Sequence, residues 1–513
     1  MTTARERSAG ILLHPTSLPG PHGIGDLGPG AHEFVRFLAE AGMTRWQILP
    51  LGPPGYGGSP YNAESSFAGN EWLVSPELLA EDGLLTPDEI ADRPAFEANH
   101  VDFGAVAAHK EPLFRRAFER FRRGQPDPRF DAFRERAASW LDDFALFRAL
   151  KRLYDDRPWD TWDAPFGLRD LDGLARARRD LAEDVEFECF IQWMFERQWE
   201  ALRAKAHDNG ILIVGDVPMF PAYDSADVWA NQDLFKLDAD GQPTVIAGVP
   251  PDYFSDTGQL WGNPHYDWPR HIEQDYRWWR ERFRWTFHRT DIVRIDHFRG
   301  FQAAWEVPAD AETAVNGEWV EGPGLDFFRD LDLLNQGAII AEDLGTITDA
   351  VRQLLADTGF PGMKALHFAF GSKADNPYLP HNHVQNSVVY TGTHDNDTTV
   401  GWLDSLDAKT RSHLEEYLGP AASELPDALI RTVFASVGDT AVIPMQDVLL
   451  LGTEHRMNTP SEPEGSWTWR FQWDQLQPGR TPWLRNLVEL YGRSPVEEEE
   501  GTGEERDGAS AEG

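Results

Sequence analysis

Short apolar runs rich in β-forming residues recur along the chain, and segments with helical periodicity separate them. Eight of these runs predict strands: AGILLHP (9–15), TRWQILPL (44–51), ILIVGDVPMF (211–220), DIVRIDHF (291–298), AIIAEDLG (338–345), MKALHFAF (363–370), SVVYTGTH (387–394) and AVIPMQDVLL (441–450). Most begin as almost continuous apolar stretches, which is typical of parallel strands covered on both faces. Amphipathic stretches such as HEFVRFLAEAG (32–42) and DAVRQLLADTG (349–359) lie between them. Eight strands alternating with helices predict an α/β protein with a (β/α)8 TIM-barrel fold.

Two connections in this pattern are too long for one strand–helix unit. Residues 52–205 contain several helical patterns, including PLFRRAFERFRR (112–123), so we expect one or two helical insertions within about 72–205. The connection 221–290 carries an aromatic loop rich in Pro and Gly, AGVPPDYFSDTGQLWGNPHYDW (247–268).

The end of the chain differs in composition from the rest. Residues 495–513, PVEEEEGTGEERDGASAEG, are acidic and poor in apolar side chains, which predicts a disordered tail. We therefore expect a single barrel domain over residues 1–494, with the insertions placed on it.

Polar side chains able to do chemistry lie toward the C-terminal ends of the predicted strands. They are His14, Asp216, Asp296, Glu342 and His394, with Asp395 just beyond. Active sites of TIM barrels lie at this face, so the pattern predicts a site there.

The strand DIVRIDHF (291–298) carries the most unusual composition of the eight. Alternation places Arg294 and Asp296 on the same face, where the arginine can compensate a buried carboxylate. This stretch alone fits a structural ion pair and a catalytic pair equally well.

Three carboxylates, Asp296, Glu342 and Asp395, follow strands whose ends converge. Two carboxylates beside a glycosidic bond can act as nucleophile and general acid/base, with retention at a separation of about 5–5.5 Å and inversion at about 6.5–9.5 Å. Two unit charges about 5 Å apart repel by roughly 3 kcal/mol at an effective dielectric constant of about 20. We therefore expect Arg294 to keep Asp296 ionised, while crowding raises the proton affinity of Glu342.

The net charge of the chain restricts the classes of molecule that the protein is expected to bind. The formal net charge of −38 argues against binding to nucleic acid or anionic membranes, because both require a basic surface. Only seven of the 47 basic residues are lysines. An acidic, lysine-poor surface favours the hypothesis of a protein that works at high salt, where its self-repulsion is screened.

Cys189 is the only cysteine, so an intrachain disulfide is excluded and a reducing compartment is expected. The N-terminus MTTARERSAG lacks the apolar core of a signal peptide, and no apolar run approaches the roughly 18–20 residues that span a bilayer. These features predict a soluble cytoplasmic protein. They leave its oligomeric state open.

Several long sequence motifs make the chain similar to a known protein family. They are GILLHPTSLPGPHGIGDLG (10–28), GYGGSPYNAESSFAGN (55–70), GDVPMF (215–220), AGVPPDYFSDTGQLWGNP (247–264), DIVRIDHFRG (291–300), IIAEDLG (339–345), TGTHDND (391–397) and RMNTPSEPEGSWTWR (456–470). With these motifs the chain resembles the amylomaltases, the 4-α-glucanotransferase family of the α-amylase clan. The resemblance covers almost everything except the acidic tail.

The resemblance implies a role for each matching residue. Asp296 corresponds to the nucleophile, Glu342 to the general acid/base, and Asp395 to the carboxylate that holds sugar hydroxyls and stabilises the transition state. Arg294, His394 and Asp216 correspond to residues around the transferred sugar, and His297, expected to bind substrate, follows the nucleophile as in the family. Residues expected to contact the glucan are Ser59, Tyr61, Tyr253, Phe254, Gln259, Trp261 and Ser466. Ser466 departs from the family, which often has Asn before that Trp, so one hydrogen bond to the glucan is in doubt.

The expected reaction is disproportionation of α-1,4-glucans such as maltooligosaccharides, starch or glycogen-derived dextrins, with glucose as a possible acceptor and no cofactor. A hydrolase using the same site and a catalytically silent glucan-binding protein remain alternatives. A metal hydrolase would draw on HNH (381–383) with His394 and Asp395, but no ligand set has a diagnostic spacing. An aldolase is disfavoured because Lys364 is the only lysine in the predicted strands.

Overall fold

The computed structural model describes residues 7–251, 256–334, 338–460, 462 and 465–494. Twelve strands lie within these residues: β1 (Ser8–Leu12), β2 (Arg45–Gln47), β3 (Leu212–Val217), β4 (Val245–Val249), β5 (Gln259–Pro264), β6 (Ile292–Ile295), β7 (Ala303–Pro308), β8 (Glu318–Glu321), β9 (Ile339–Ala341), β10 (Gly362–Ala365), β11 (Ser387–Tyr390) and β12 (Thr440–Pro444). The predicted tail 495–513 lies outside the described residues.

The same residues form nineteen α-helices, which alternate with the barrel strands or extend their connections. They are α1 (Pro29–Glu40), α2 (Pro76–Glu81), α3 (Pro87–Ala91), α4 (Phe103–Arg123), α5 (Pro128–Arg136), α6 (Leu141–Leu153), α7 (Ala164–Gly167), α8 (Leu171–Asp180), α9 (Ala182–Asp208), α10 (Ala226–Ala230), α11 (Trp268–Glu273), α12 (Arg277–Arg289), α13 (Gly324–Asp330), α14 (Asp349–Thr358), α15 (Thr399–Ser405), α16 (Ala408–Leu418), α17 (Asp427–Ala435), α18 (Met445–Val448) and α19 (Arg480–Leu490).

Eight parallel strands form the central sheet in the order β10–β11–β12–β1–β2–β3–β6–β9. The sheet closes on itself where the backbone N–H of Ala341 donates to the carbonyl of Pro361, at 2.9 Å. Each of the eight predicted strands overlaps one of these barrel strands, so the predicted (β/α)8 fold is confirmed. The observed strands are shorter, because their polar C-terminal extensions leave the sheet at the mouth of the barrel.

One predicted strand, AVIPMQDVLL (441–450), is wrong over its second half. The strand ends at Pro444, and Met445–Val448 form helix α18 with all four residues buried. A short apolar run fits a buried strand and a buried helix equally well, so periodicity could not separate them.

Local sequence explains where the predicted helices begin and end. In α14, the hydroxyl of Thr348 accepts the backbone N–H of Val351 and caps the first turn. Gly359, at φ +68°, then ends the helix in the left-handed conformation that glycine adopts without strain. Val351 and Leu354 are buried on this helix, which packs against α13.

Helices α2–α9 fill the long connection between β2 and β3, the region where the sequence predicts helical insertions. Among the described helices, none combines the length and the apolar character needed to cross a bilayer. Cys189, on α9, is buried, and burial raises the pKa of its thiol to about 12.

A second sheet was not predicted. Strands β4, β5, β7 and β8 form an antiparallel sheet in the order β5–β4–β7–β8. Two of its strands, β4 and β5, include residues 247–249 and 259–264 of the aromatic segment 247–268, for which the sequence predicts a loop. Residues 252–255, between them, lie outside the described part.

Candidate active site

Strand register brings the first charged residues of the site together. Asp216 on β3 and Arg294 on β6 are direct cross-strand partners. The guanidinium of Arg294 contacts the carboxylate of Asp216 at 2.6 Å and that of Asp296 at 2.9 Å. The Asp216 side chain is fully shielded from solvent, whereas that of Asp296 is 27% exposed. Asp216 therefore supports Arg294 from behind, and Asp296 faces the open mouth of the barrel.

Glu342 is held beside Asp296 by backbone hydrogen bonds. Its N–H donates to the carbonyl of Ile295 at 3.0 Å, which continues the pairing of β6 with β9. One carboxylate oxygen accepts the N–H of His297 at 2.9 Å, and the other accepts the N–H of Leu344 at 2.6 Å. His297 has φ +51°, a strained conformation for a residue other than glycine. Glu342 is thus anchored to the residue that follows Asp296.

Asp395 completes the set of three carboxylates that the sequence predicts. Its Oδ2 lies 3.3 Å from Nε2 of His394, and its Oδ1 accepts a 2.6 Å hydrogen bond from the amide of Asn458. The side chain is 45% exposed, so the carboxylate remains accessible to a ligand.

An aromatic group lies against the charged cluster. The rings of Tyr61 and His394 stack with centroids 5.0 Å apart and planes 14° apart, and Trp467 packs against both. The hydroxyl of Tyr61 donates to Asp216 at 2.7 Å. Ser59 lies at the same turn, where its Oγ accepts the N–H of Tyr61 at 3.3 Å.

Of the remaining predicted glucan contacts, Gln259 and Trp261 lie on strand β5, and Ser466 lies after the last barrel strand. Trp261 is 38% exposed and packs edge-to-face on His297 with centroids 4.8 Å apart, and its indole N–H donates to Gln259 at 3.2 Å. Ser466 is buried, and its Oγ accepts the N–H of Thr459, which leaves it little surface for a sugar. Tyr253 and Phe254 lie outside the described residues.

The pKa values of the carboxyl groups differ in part from the sequence-based expectation, in which Asp296 is ionised and Glu342 holds a proton. The guanidinium of Arg294 interacts with three carboxylates, those of Asp216, Asp296 and Glu342, so it cannot neutralise all of them. Burial raises the pKa of Asp296 to about 8, although Arg294 acts in the opposite direction. Burial also raises the pKa of Glu342. The raised pKa of Glu342 agrees with the expectation. At Asp296 the effect of burial on the pKa outweighs that of Arg294, whose guanidinium also contacts Asp216. In the free site the pair therefore shares a proton.

Sequence reasoning missed three residues of the site. Asn458 and Arg456 contact the side chain and the carbonyl of Asp395, respectively, and Trp467 belongs to the aromatic group. All three lie in the motif RMNTPSEPEGSWTWR, which was visible in the sequence. Nothing in the strand pattern connects this segment to the barrel mouth, because it follows the last strand.

The histidines of HNH (381–383) do not join the site. Nδ1 of His381 contacts the hydroxyl of Tyr417, and Nδ1 of His383 contacts that of Ser436. Among the described residues, one set could present three metal-ligand atoms within 4.8 Å of one another, and it comprises Glu196, Glu200 and His288. Arg289 already pairs with Glu196 there, which disfavours a cation.

A parallel eight-stranded barrel that gathers three carboxylates, an arginine and a histidine at its mouth is the framework of an enzyme acting on glycosidic bonds. A family model described as 4-alpha-glucanotransferase matches residues 13–476. The chain belongs to this 4-alpha-glucanotransferase family, as its motifs predict.

Relatives of the chain carry the same description. A 4-alpha-glucanotransferase of Thermus thermophilus is 47% identical over 499 residues, which cover 95% of this chain and 99% of the relative. One from Synechocystis is 46% identical, with coverage of 95% and 98%. The fold matches that of an amylomaltase from Streptococcus agalactiae in complex with acarbose, with a TM-score of 0.92 and 37% identity over 96% of this chain and 100% of that one.

Proposed function

We propose that the protein is a 4-α-glucanotransferase that disproportionates α-1,4-glucans with retention of configuration. The observation that carries this proposal is the anchoring of Glu342 to the N–H of His297, at 2.9 Å, next to an Asp296 that contacts Arg294 at 2.9 Å. Two carboxyl groups held on adjacent strand ends, one of them beside a cation, have the composition that a double displacement requires.

In the first displacement, a carboxylate oxygen of Asp296 attacks the anomeric carbon of the donor sugar. The glycosidic bond breaks, and its oxygen receives the proton of Glu342, so the reducing-end portion leaves as a neutral alcohol. The donor segment is then an ester of Asp296. Before this step the proton that the two carboxyls share resides on Glu342, and Arg294 stabilises the ionised Asp296.

The second displacement reverses the first with another sugar. The ionised Glu342 removes the proton of an acceptor 4-hydroxyl, which attacks the anomeric carbon, and Asp296 departs as the carboxylate. Asp395 and His394 hold hydroxyls of the transferred sugar, and the Asp395 carboxylate stabilises the positive charge that develops at its ring. Neither displacement requires a cofactor.

Glucose and maltooligosaccharides are the acceptors that we infer. Trp261 and Gln259 lie on the unpredicted second sheet, beside His297, and form a wall on which an acceptor sugar can stack. A reducing compartment such as the cytoplasm suits a chain whose only cysteine is Cys189.

Incubation with maltotriose tests the proposed function. We expect glucose together with oligomers longer than the substrate. Glucose and maltose alone would identify a hydrolase instead, because water would then have resolved the intermediate. Glu342→Gln should abolish turnover while glucan binding persists. If wild type and this variant bind glucan alike and neither turns it over, the protein is a glucan-binding protein.

A further inference from the structure

Asp395 is supported by a segment far from it in the sequence. Asn458, which follows the last barrel strand, donates its side-chain amide to Oδ1 of Asp395 at 2.6 Å. His394 approaches Oδ2 at 3.3 Å. Each carboxylate oxygen therefore has one contact to the protein, and a side chain that is 45% exposed is held from two sides.

Arg456 fixes the backbones from which these two side chains project. Its Nη2 donates to the carbonyl of Asp395 at 3.1 Å, and its Nε donates to the carbonyl of Asn458 at 3.2 Å. Asp397 lies 4.0 Å from the same guanidinium and accepts the hydroxyl of Thr453 at 3.0 Å. A planar guanidinium with fixed donors sets the spacing of two carbonyls more rigidly than an ammonium could.

The two ends of the segment are joined to each other and to the aromatic group. The N–H of Trp467 donates to the carbonyl of Met457 at 2.6 Å, and Trp467 has φ +66°. This is the left-handed region, which a tryptophan adopts only when its surroundings hold it there. Its ring packs against Tyr61 and His394, so the segment contacts both sides of the site.

We propose that Asn458 is a positioning residue for the glycosyl transfer, which orients the carboxylate of Asp395 toward the sugar, and that Arg456 sets the distance between them. This inference rests on the proposed function. Since Arg456 already ties the two backbones together, the amide of Asn458 is not needed to attach the segment. What it adds is the orientation of one carboxylate.

Orientation matters because Asp395 is half exposed and can rotate about its side-chain bonds. A misplacement of about 1 Å can cost about 100-fold in rate. The amide donates to one oxygen without adding charge, so it leaves Asp395 free to accept sugar hydroxyls with its remaining lone pairs.

Two variants of Asn458 test the proposal in the full-length protein with maltotriose as substrate. Asn458→Ala removes the donor, and we expect kcat to fall by about 10- to 100-fold with little change in KM or in Tm. Asn458→Asp keeps the shape but places a carboxyl against Asp395. At low pH the new carboxyl is protonated and donates as the amide did, and at higher pH the two groups repel. We therefore expect activity near wild type at low pH and an additional loss as pH rises.

Asn209 provides the matched control. Its amide donates to the carbonyl of Lys205 at 2.8 Å, just before β3 and therefore at the opposite face of the barrel. Asn209→Ala and Asn209→Asp should leave kcat and its pH profile unchanged.

The outcomes separate this inference from the proposed function. A wild-type protein that makes no longer oligomers from maltotriose overturns the proposed function. An active wild type, with Asn458→Ala lowering Tm but not kcat, means that Asn458 only stabilises the fold. A pH profile of Asn458→Asp that parallels wild type also overturns the positioning role.

Discussion

Arg294 and Asp216 form a 2.6 Å ion pair whose side chains are 3% and 0% exposed, directly behind the candidate nucleophile. Removing one partner of a buried pair leaves the other charge poorly compensated, which costs about 3–5 kcal/mol. We expect Asp216→Ala to lower the free energy of unfolding by this order and kcat by at least tenfold, because Arg294 loses its orientation.

Urea unfolding followed by circular dichroism measures the first effect. The control is Asp349→Ala, which removes the exposed partner of Arg352 and should cost less than about 1 kcal/mol. Equal losses for the two variants would contradict a structural role for the buried pair.

Activity should depend on the proton that Asp296 and Glu342 share. The pKa of Asp296 is raised to about 8 and that of Glu342 is also raised, so the pair loses its shared proton as pH rises through this range. We expect kcat/KM for maltotriose to fall above a pH of about 8. A profile at constant ionic strength that stays level well above this pH would show that the acid is not part of this pair.

The same raised pKa makes a prediction about stability. Folding raises the pKa of Asp296 from its ordinary value of 3.8 to about 8, so the folded state favours the neutral form. The stabilisation that neutral Asp296 gives the folded state is fully present below its ordinary pKa of 3.8. It is lost as pH rises through the pKa of about 8 in the folded protein. Asp296→Asn cannot ionise, and we expect its Tm to exceed that of wild type by about 1–3 °C at alkaline pH. Thermal melts across this range should show the difference vanish at acid pH, and a difference independent of pH would contradict the prediction.

Trp261 should influence the choice between a sugar and water. It lies half-exposed over His297, and we expect Trp261→Ala to raise the hydrolysed share of maltotriose turnover about tenfold, which needs a change in barrier difference of only about 1.4 kcal/mol. Trp261→Phe should be close to wild type. Trp319, which is similarly exposed on the opposite edge strand of the same sheet, is the control, and Trp319→Ala should leave the ratio unchanged. Equal effects at both positions would remove the special role of Trp261.

The net charge of −38 predicts a response to salt. Screening reduces the self-repulsion of the acidic surface, so Tm should rise as KCl is added. Melting curves recorded at KCl concentrations from low to molar measure this change in Tm. A flat or falling Tm would count against adaptation to high salt.

Much of the fold could be predicted because the barrel strands are buried on both faces. Each is a short apolar run bounded by polar residues, and this pattern can be recognised in the sequence without knowledge of tertiary contacts. The antiparallel sheet could not be found this way. Its strand β8, Glu318–Glu321, reads EWVE with most side chains exposed. The pairing of β4 with β7 joins residues that are far apart in sequence, such as Val245 and Pro308.

The site shows the same limit at the level of single residues. Alternation correctly paired Arg294 with Asp296, two positions away. The shorter contact of Arg294 is to Asp216, on a neighbouring strand 78 residues earlier, and only the register of β3 and β6 reveals it. Alternation also does not reveal the burial of Asp296, which raises its pKa and outweighs the effect of Arg294. Asn458 lay within a recognised motif, but no periodicity marks a residue that acts through another side chain.

The division of the Arg294 guanidinium between Asp216 and Asp296 leads to an expectation about the charge of the sugars that bind. With one guanidinium between two carboxylates, and with Glu342 and Asp395 close by, acidic groups outnumber basic groups at the barrel mouth, which disfavours the approach of anions. A phosphorylated or uronic-acid sugar would bring its own negative charge into that field, whereas a neutral oligosaccharide would not. We therefore expect the barrel mouth to favour neutral oligosaccharides over sugars that carry a phosphate or a carboxylate.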